Sequence, residues 1–78
     1  MIEAYVLIQT EVGKAGDVVQ EVATIEGIIS AADVTGPYDA IILAKAENMD
    51  DLGKLVVAKI QKVKGITRTL TCPVVHLI

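Results

Sequence analysis

The sequence predicts an α+β sandwich of element order βαββαβ, a four-stranded antiparallel sheet with two helices on one face. Three observations predict it. Moving the chain 38 places along itself lays Val18 on Val56, Val19 on Val57, Val22 on Ile60, Ile25 on Val63, Gly27 on Gly65 and Ile28 on Ile66, so one plan is written twice. In each copy an amphipathic helical stripe ends at a glycine and leads into an apolar, strand-like run. Between the copies, Gly36-Pro37 separates two apolar runs so narrowly that they read as hairpin partners. Two βαβ units joined this way make the split βαβ arrangement of a ferredoxin-like fold.

The first strand is expected over Ile2–Gln9, apolar at Ile2, Ala4, Val6 and Ile8 but with Tyr5 and Leu7 on the alternate face, so both faces need cover. The first helix runs from about Lys14 to Thr24 on the stripe Val18, Val19, Val22 and Ala23, with Gly27 as its C-terminal cap. Ile28–Thr35 is the second strand and Tyr38–Ala46 the third. Asn48 and Asp50 offer side-chain oxygens to the start of the second helix, where Leu52, Leu55, Val56, Ile60 and Val63 recur at helical steps until Gly65. Ile66 to about Leu77 closes the fold as a fourth strand. Pro73 inside it lacks a ladder donor and so requires a sheet edge, which the strand order 4-1-3-2 provides.

Right-handed crossovers place both helices on the same side of the sheet. The other side is left bare, yet Tyr5, Leu7, Ile41 and Leu43 share one parity while Val6, Ile8, Ile42 and Ala44 share the other, so apolar side chains point both ways. An apolar patch of that kind is rarely left wet, so the expectation is a homodimer, two copies packed sheet to sheet with their helices outside.

Length and composition agree with one small folded unit, residues 1–78, with 53% hydrophobic residues and no disulfide pair to supplement a modest core. Partner subunits are the expected remedy. A formal charge of −3, with seven Lys and Arg scattered among ten acids, leaves no basic stripe and argues against direct nucleic-acid binding. The start Met1-Ile2-Glu3 carries no basic leader, and no apolar run approaches the roughly 18 residues of a membrane span, so no membrane association and a cytoplasmic location are expected. A lone cysteine, Cys72, suits a reducing compartment.

The residues that carry chemistry concentrate in Thr35-Gly36-Pro37-Tyr38-Asp39, which joins backbone amides, a hydroxyl, an aromatic ring and a carboxylate. An α-amino acid needs such a set: amides at a glycine turn for its carboxylate, and Asp39 for its ammonium. The plainer reading is a hairpin turn capped by Asp39. Thr69 and Thr71 share strand parity and present two hydroxyls side by side, although threonine is also an ordinary strand residue.

Catalytic readings are weaker. His76 is the single histidine and has no cysteine or carboxylate close in sequence; Cys72 has no second ligand or base and reads as a buried apolar thiol. Gly13-Lys14-Ala15-Gly16 lacks the phosphate-loop pattern and reads as a loose turn. Glu47, Asp50 and Asp51 lie where acids favour a helix N-terminus. No metal, cofactor or catalytic residue is assigned.

The element order, the strand-helix-glycine repeat, the phrase Val34-Thr35-Gly36-Pro37-Tyr38-Asp39, the helix ending Val63-Lys64-Gly65-Ile66 and the run Thr67-Arg68-Thr69-Leu70-Thr71 resemble the C-terminal effector domain of the Lrp/AsnC transcription regulators over essentially the whole chain. This is the RAM, or ACT-like, domain. The resemblance implies an amino-acid effector held between neighbouring dimers, with Thr35, Gly36, Pro37, Tyr38 and Asp39 lining the pocket and Thr69 and Thr71 contributing to it. It also implies rings of four or five dimers, an octamer or decamer. Full-length members begin with a winged helix-turn-helix, whereas strand one here starts at residue 2, so the chain looks like a stand-alone effector module able to act on full-length Lrp/AsnC regulators. Pro37 and Ala40 depart from the polar or bulkier residues common in the family.

Three functional classes follow. The first is an amino-acid sensor acting through assembly. The second is a dimeric α+β-barrel enzyme of monooxygenase or isomerase type, for which only Tyr5, Tyr38 and His76 are candidates. The third is an oligomerisation module whose turn binds nothing.

Overall fold

The computed structural model describes residues 1–75, so the expected end of the last strand and His76 lie outside the described residues. Six elements follow in the expected order: β1 (Ile2–Thr10), α1 (Ala15–Val22), β2 (Ile28–Asp33), β3 (Ala40–Ala46), α2 (Met49–Lys54, continuing as a π-helical segment over Leu55–Ile60) and β4 (Ile66–Pro73). The strands form one antiparallel sheet in the order β2-β3-β1-β4, with β1 and β3 central.

Side-chain parity in the central strands divides the sheet into two faces. Ala4, Val6, Ile8, Ala40, Ile42 and Ala44 are fully buried, and all but Ala4 pack, with Val18 and Val22 of α1 and Leu55, Val56 and Ile60 of the second helix, into one core. Each valine, leucine or isoleucine side chain removed from water here contributes about 1.5–3 kcal/mol, and each alanine less, so this interleaved layer is the main source of stability. The alternate residues face away from the helices. Tyr5 stands opposite Leu43 and Cys72, and Leu7 opposite Ile41 and Leu70. Tyr5 remains 42% exposed and Leu70 46%, which marks this second face as open.

Several boundaries differ from the sequence expectation, each for a local reason. Helix α1 stops at Val22, short of Thr24, because the chain tightens there: Thr24 N–H donates to Glu21 O (3.1 Å) and Ile25 N–H to Val22 O (3.0 Å). The Thr24 hydroxyl donates to the same Glu21 carbonyl at 2.7 Å. Gly27 therefore belongs to the turn that follows and does not cap the helix itself. The second helix is not α-helical throughout: Gln61 N–H reaches back to Val56 O at 2.8 Å, an i→i−5 bond. The i→i−5 pattern widens the helix locally at this point. Leu52, Leu55, Val56, Ile60 and Val63 are all buried as their spacing predicts. Asn48 is the N-cap, its Oδ1 accepting from Asp51 N–H at 2.8 Å, while Asp50 lies inside the first turn.

Gly65 has φ +101°, and a Cβ there would stand 3.2 Å from both Lys14 Cβ and Val18 Cγ2, so backbone conformation and helix packing both require glycine. At the outer edge, Pro73 lies opposite Ala4, and the next residue, Val74, donates to Glu3 O at 2.9 Å. In the alternating antiparallel pattern the Pro73 nitrogen then points away from β1, and no ladder bond is lost.

Candidate effector site

The β2–β3 hairpin ends earlier than expected, because Val34 N–H donates to Asp39 O at 2.8 Å and closes the loop at that pair. Thr35, Gly36 and Pro37 are exposed; Tyr38 and Asp39 are half-buried and lie just before β3 rather than within it. Gly36 has φ +133°, and no atom lies within 4 Å of where a Cβ would be, so glycine is needed there for conformation alone.

Three further bonds anchor the loop to the end of β1. Asp39 N–H donates to Ile8 O at 2.8 Å. Thr10 N–H donates to Asp39 Oδ2 at 2.8 Å. The Gln9 side-chain amide donates to Pro37 O at 3.0 Å. Asp39 is thus part of the hairpin's own framework, as the plain turn reading expects. An ionised carboxylate has two oxygens and about four lone-pair sites, so one backbone bond leaves capacity for an ammonium.

Thr69 and Thr71 lie elsewhere. Opposite Ile8 and Val6, they share the helix-side face, half-buried. With Met49, Leu52, Gly53, Val56, Val57 and Gln61 they line a groove of about 320 Å³ between β4 and the second helix. Gln61 Nε2 donates to Thr69 Oγ1 at 2.8 Å. No residue of the 35–39 turn lines this groove. Within one chain the two groups of expected site residues are therefore not brought together. Gln9 and Thr10, which hold the turn, were not anticipated; the only signal was Gln9 as the first polar residue to follow Tyr5 and Leu7 on the open-face parity.

Cys72 is exposed, contrary to the expectation of a buried thiol. It lies on edge strand β4 opposite Tyr5, on the face that no helix covers. Among the described residues no three His, Cys, Asp or Glu side chains converge as metal ligands, and no helix is long and apolar enough to cross a membrane.

A βαββαβ sandwich with an anchored glycine turn at one sheet end and an open apolar face defines a small α+β ligand-binding module. The family model of the Lrp/AsnC ligand binding domain matches residues 3–78, and the chain belongs to that family. The family is one of transcription-regulator ligand-binding domains, which points away from an enzyme. The chain is 31% identical over 55 residues to an HTH-type transcriptional regulator of Pyrococcus furiosus, a match covering 70% of this chain and 37% of that protein. It therefore spans little more than a third of the curated relatives it matches. A solved protein of Thermus thermophilus superimposes with a TM-score of 0.92 at 27% identity, covering 100% of this chain and 98% of that one. A Neisseria meningitidis transcriptional regulator solved as a complex with L-Met shares the fold, with a TM-score of 0.87 at 16% identity over 99% of this chain and 51% of the other.

Proposed function

We propose that residues 1–78 act as one effector-binding and oligomerisation unit, which recognises an α-amino acid at the Thr35–Asp39 turn and couples its occupancy to assembly. The observation that carries this reading is the preorganised turn: Gly36 in a glycine-only conformation, with Pro37 and Asp39 tied to β1 by Gln9, Thr10 and Ile8. A fixed carboxylate beside a glycine turn loses little entropy on binding, which favours recognition of a small polar ligand. The L-Met complex of the Neisseria regulator supports an amino acid as the ligand class.

Assembly begins with the open face. Tyr5, Leu7, Ile41, Leu43 and Leu70 form one contiguous apolar surface, and a second copy packed sheet to sheet covers it. Dimers then join into rings of four or five, where the Thr69–Thr71 groove of one subunit and the turn of another meet to complete the pocket. Ligand binding shifts the balance between rings and smaller species, and assembly raises ligand affinity by the same factor. In the cytoplasm such a unit modulates full-length Lrp/AsnC regulators by mixed assembly.

Calorimetry against each of the twenty amino acids tests the sensor reading, and sedimentation with and without ligand tests the coupling. Heat with one or a few of them and a shifted oligomer distribution are expected. Silence toward all twenty at millimolar concentration counts heavily against the sensor reading and in favour of the structural oligomerisation module.

A further inference from the structure

We propose that Arg68 supplies the second charge of the effector site, its guanidinium binding the α-carboxylate of the amino acid whose ammonium Asp39 holds. This rests on the amino-acid reading above. It adds a specificity-determining residue on the side of β4 away from Thr69 and Thr71, at the sheet end beyond the Leu7–Leu70 pair, outside the Tyr5, Leu7, Ile41, Leu43 and Leu70 surface that a second copy would cover.

Strand register assigns the face. Arg68 stands opposite Gln9 and Leu70 opposite Leu7, whereas Thr69 stands opposite Ile8, which is fully buried on the helix side. Arg68 is exposed. Its neighbour Gln9 is the residue whose amide holds Pro37 O at 3.0 Å, so Arg68 is one strand away from a direct contact to the turn. Adjacent strands are about 4.8 Å apart, a distance that a guanidinium on its three-carbon stem spans easily. Carboxylate, amide and guanidinium thus follow one another across the end of the sheet, on Asp39, Gln9 and Arg68.

The two ends of the open face differ in how charge is placed. At one end Glu3 and Lys45 are direct register partners, opposite charges set side by side. At the other end Arg68 faces an amide, while Asp39 gives one oxygen to Thr10 N–H. Positive and negative groups held apart by a neutral spacer suit a zwitterion better than they suit each other. Arginine fits the carboxylate half because its planar fork binds both carboxylate oxygens at once, which a hydroxyl pair does not match in strength.

The experiment is calorimetry on the full chain with each of the twenty L-amino acids and their α-amides, comparing wild type, R68Q and R68K. For the amino acid that binds wild type most tightly, R68Q is expected to weaken binding about tenfold to a hundredfold. R68K is expected to recover part of the loss. The α-amide, which lacks the carboxylate, is expected to bind wild type and R68Q equally. Thermal unfolding of R68Q should match wild type, since the side chain is exposed. Equal affinity of wild type and R68Q for the amino acid overturns the assignment while leaving the proposed function standing. The same loss with amide as with acid also overturns it. So does unchanged affinity with altered sedimentation, which assigns Arg68 to the contact between copies. If no amino acid binds wild type, the functional reading fails first and this one with it.

Discussion

The backbone N–H of Thr10 donates to Asp39 Oδ2 at 2.8 Å, joining the last residue of β1 to the residue that closes the hairpin loop. One carboxylate therefore holds the loop and, in the function proposed above, also receives the ligand's ammonium. Asp39→Ala loses this part-buried bond and is expected to lower stability by about 1–2 kcal/mol. Asp39→Asn separates the duties, since its Oδ1 still accepts from Thr10. Chemical denaturation should place D39N near wild type and D39A below it, while calorimetry should find amino-acid binding weakened at least about tenfold in both.

Gly36 and Gly65 are both at positive φ, but only Gly65 is sterically crowded. Gly65→Val combines backbone strain with a clash against Lys14 and Val18 and is expected to cost about 2–4 kcal/mol, read as a lower denaturation midpoint. Gly36→Val meets no neighbour, so its cost is confined to backbone strain of about 1–3 kcal/mol, and the chief effect is a reshaped turn with reduced ligand binding. A G36V protein that binds as wild type does would show that the turn is not the site.

Leu7 is central to the open face, with Ile41 on one side and Leu70 on the other. Leu7→Glu places a charge where a second sheet would pack and is expected to leave a folded monomer in sedimentation, with far-UV dichroism unchanged. If L7E sediments as wild type does, association through this face is refuted. By contrast Ile42→Ala, on the opposite side of the neighbouring strand and fully buried, should cost about 2–5 kcal/mol by leaving a cavity.

Asn48 accepts from Asp51 N–H at 2.8 Å and starts a helix of only six α-helical residues before the π segment. Asn48→Ala is expected to lower stability by about 0.5–2 kcal/mol, and Asn48→Asp, which preserves the acceptor, by less. Thermal melts of the two variants check this.

What the sequence made legible was mostly periodic. Alternation in Val6 and Ile8 against Tyr5 and Leu7 distinguishes the two faces, and Pro73 locates an edge, because period and donor count are written in residue type. The π segment was not legible, since hydrophobic steps of three and four are shared by an α-helix with a local widening. Nor was the early end of α1, where Thr24 and Ile25 N–H turn to the Glu21 and Val22 carbonyls. Within the site, the turn stood out by composition, and the pairing of Thr69 with Thr71 by parity. Which face that pair takes depends on the β1–β4 register, which sets Thr69 opposite Ile8 and Thr71 opposite Val6. Strand pairing is a tertiary event with no local mark, so the grouping of the threonines with the turn rests on the family resemblance alone.

The outward nitrogen of Pro73 has a bearing on how copies of this chain can multiply. A strand added along β4 would find no proton to share at that position, so lateral extension of the sheet from copy to copy is discouraged there.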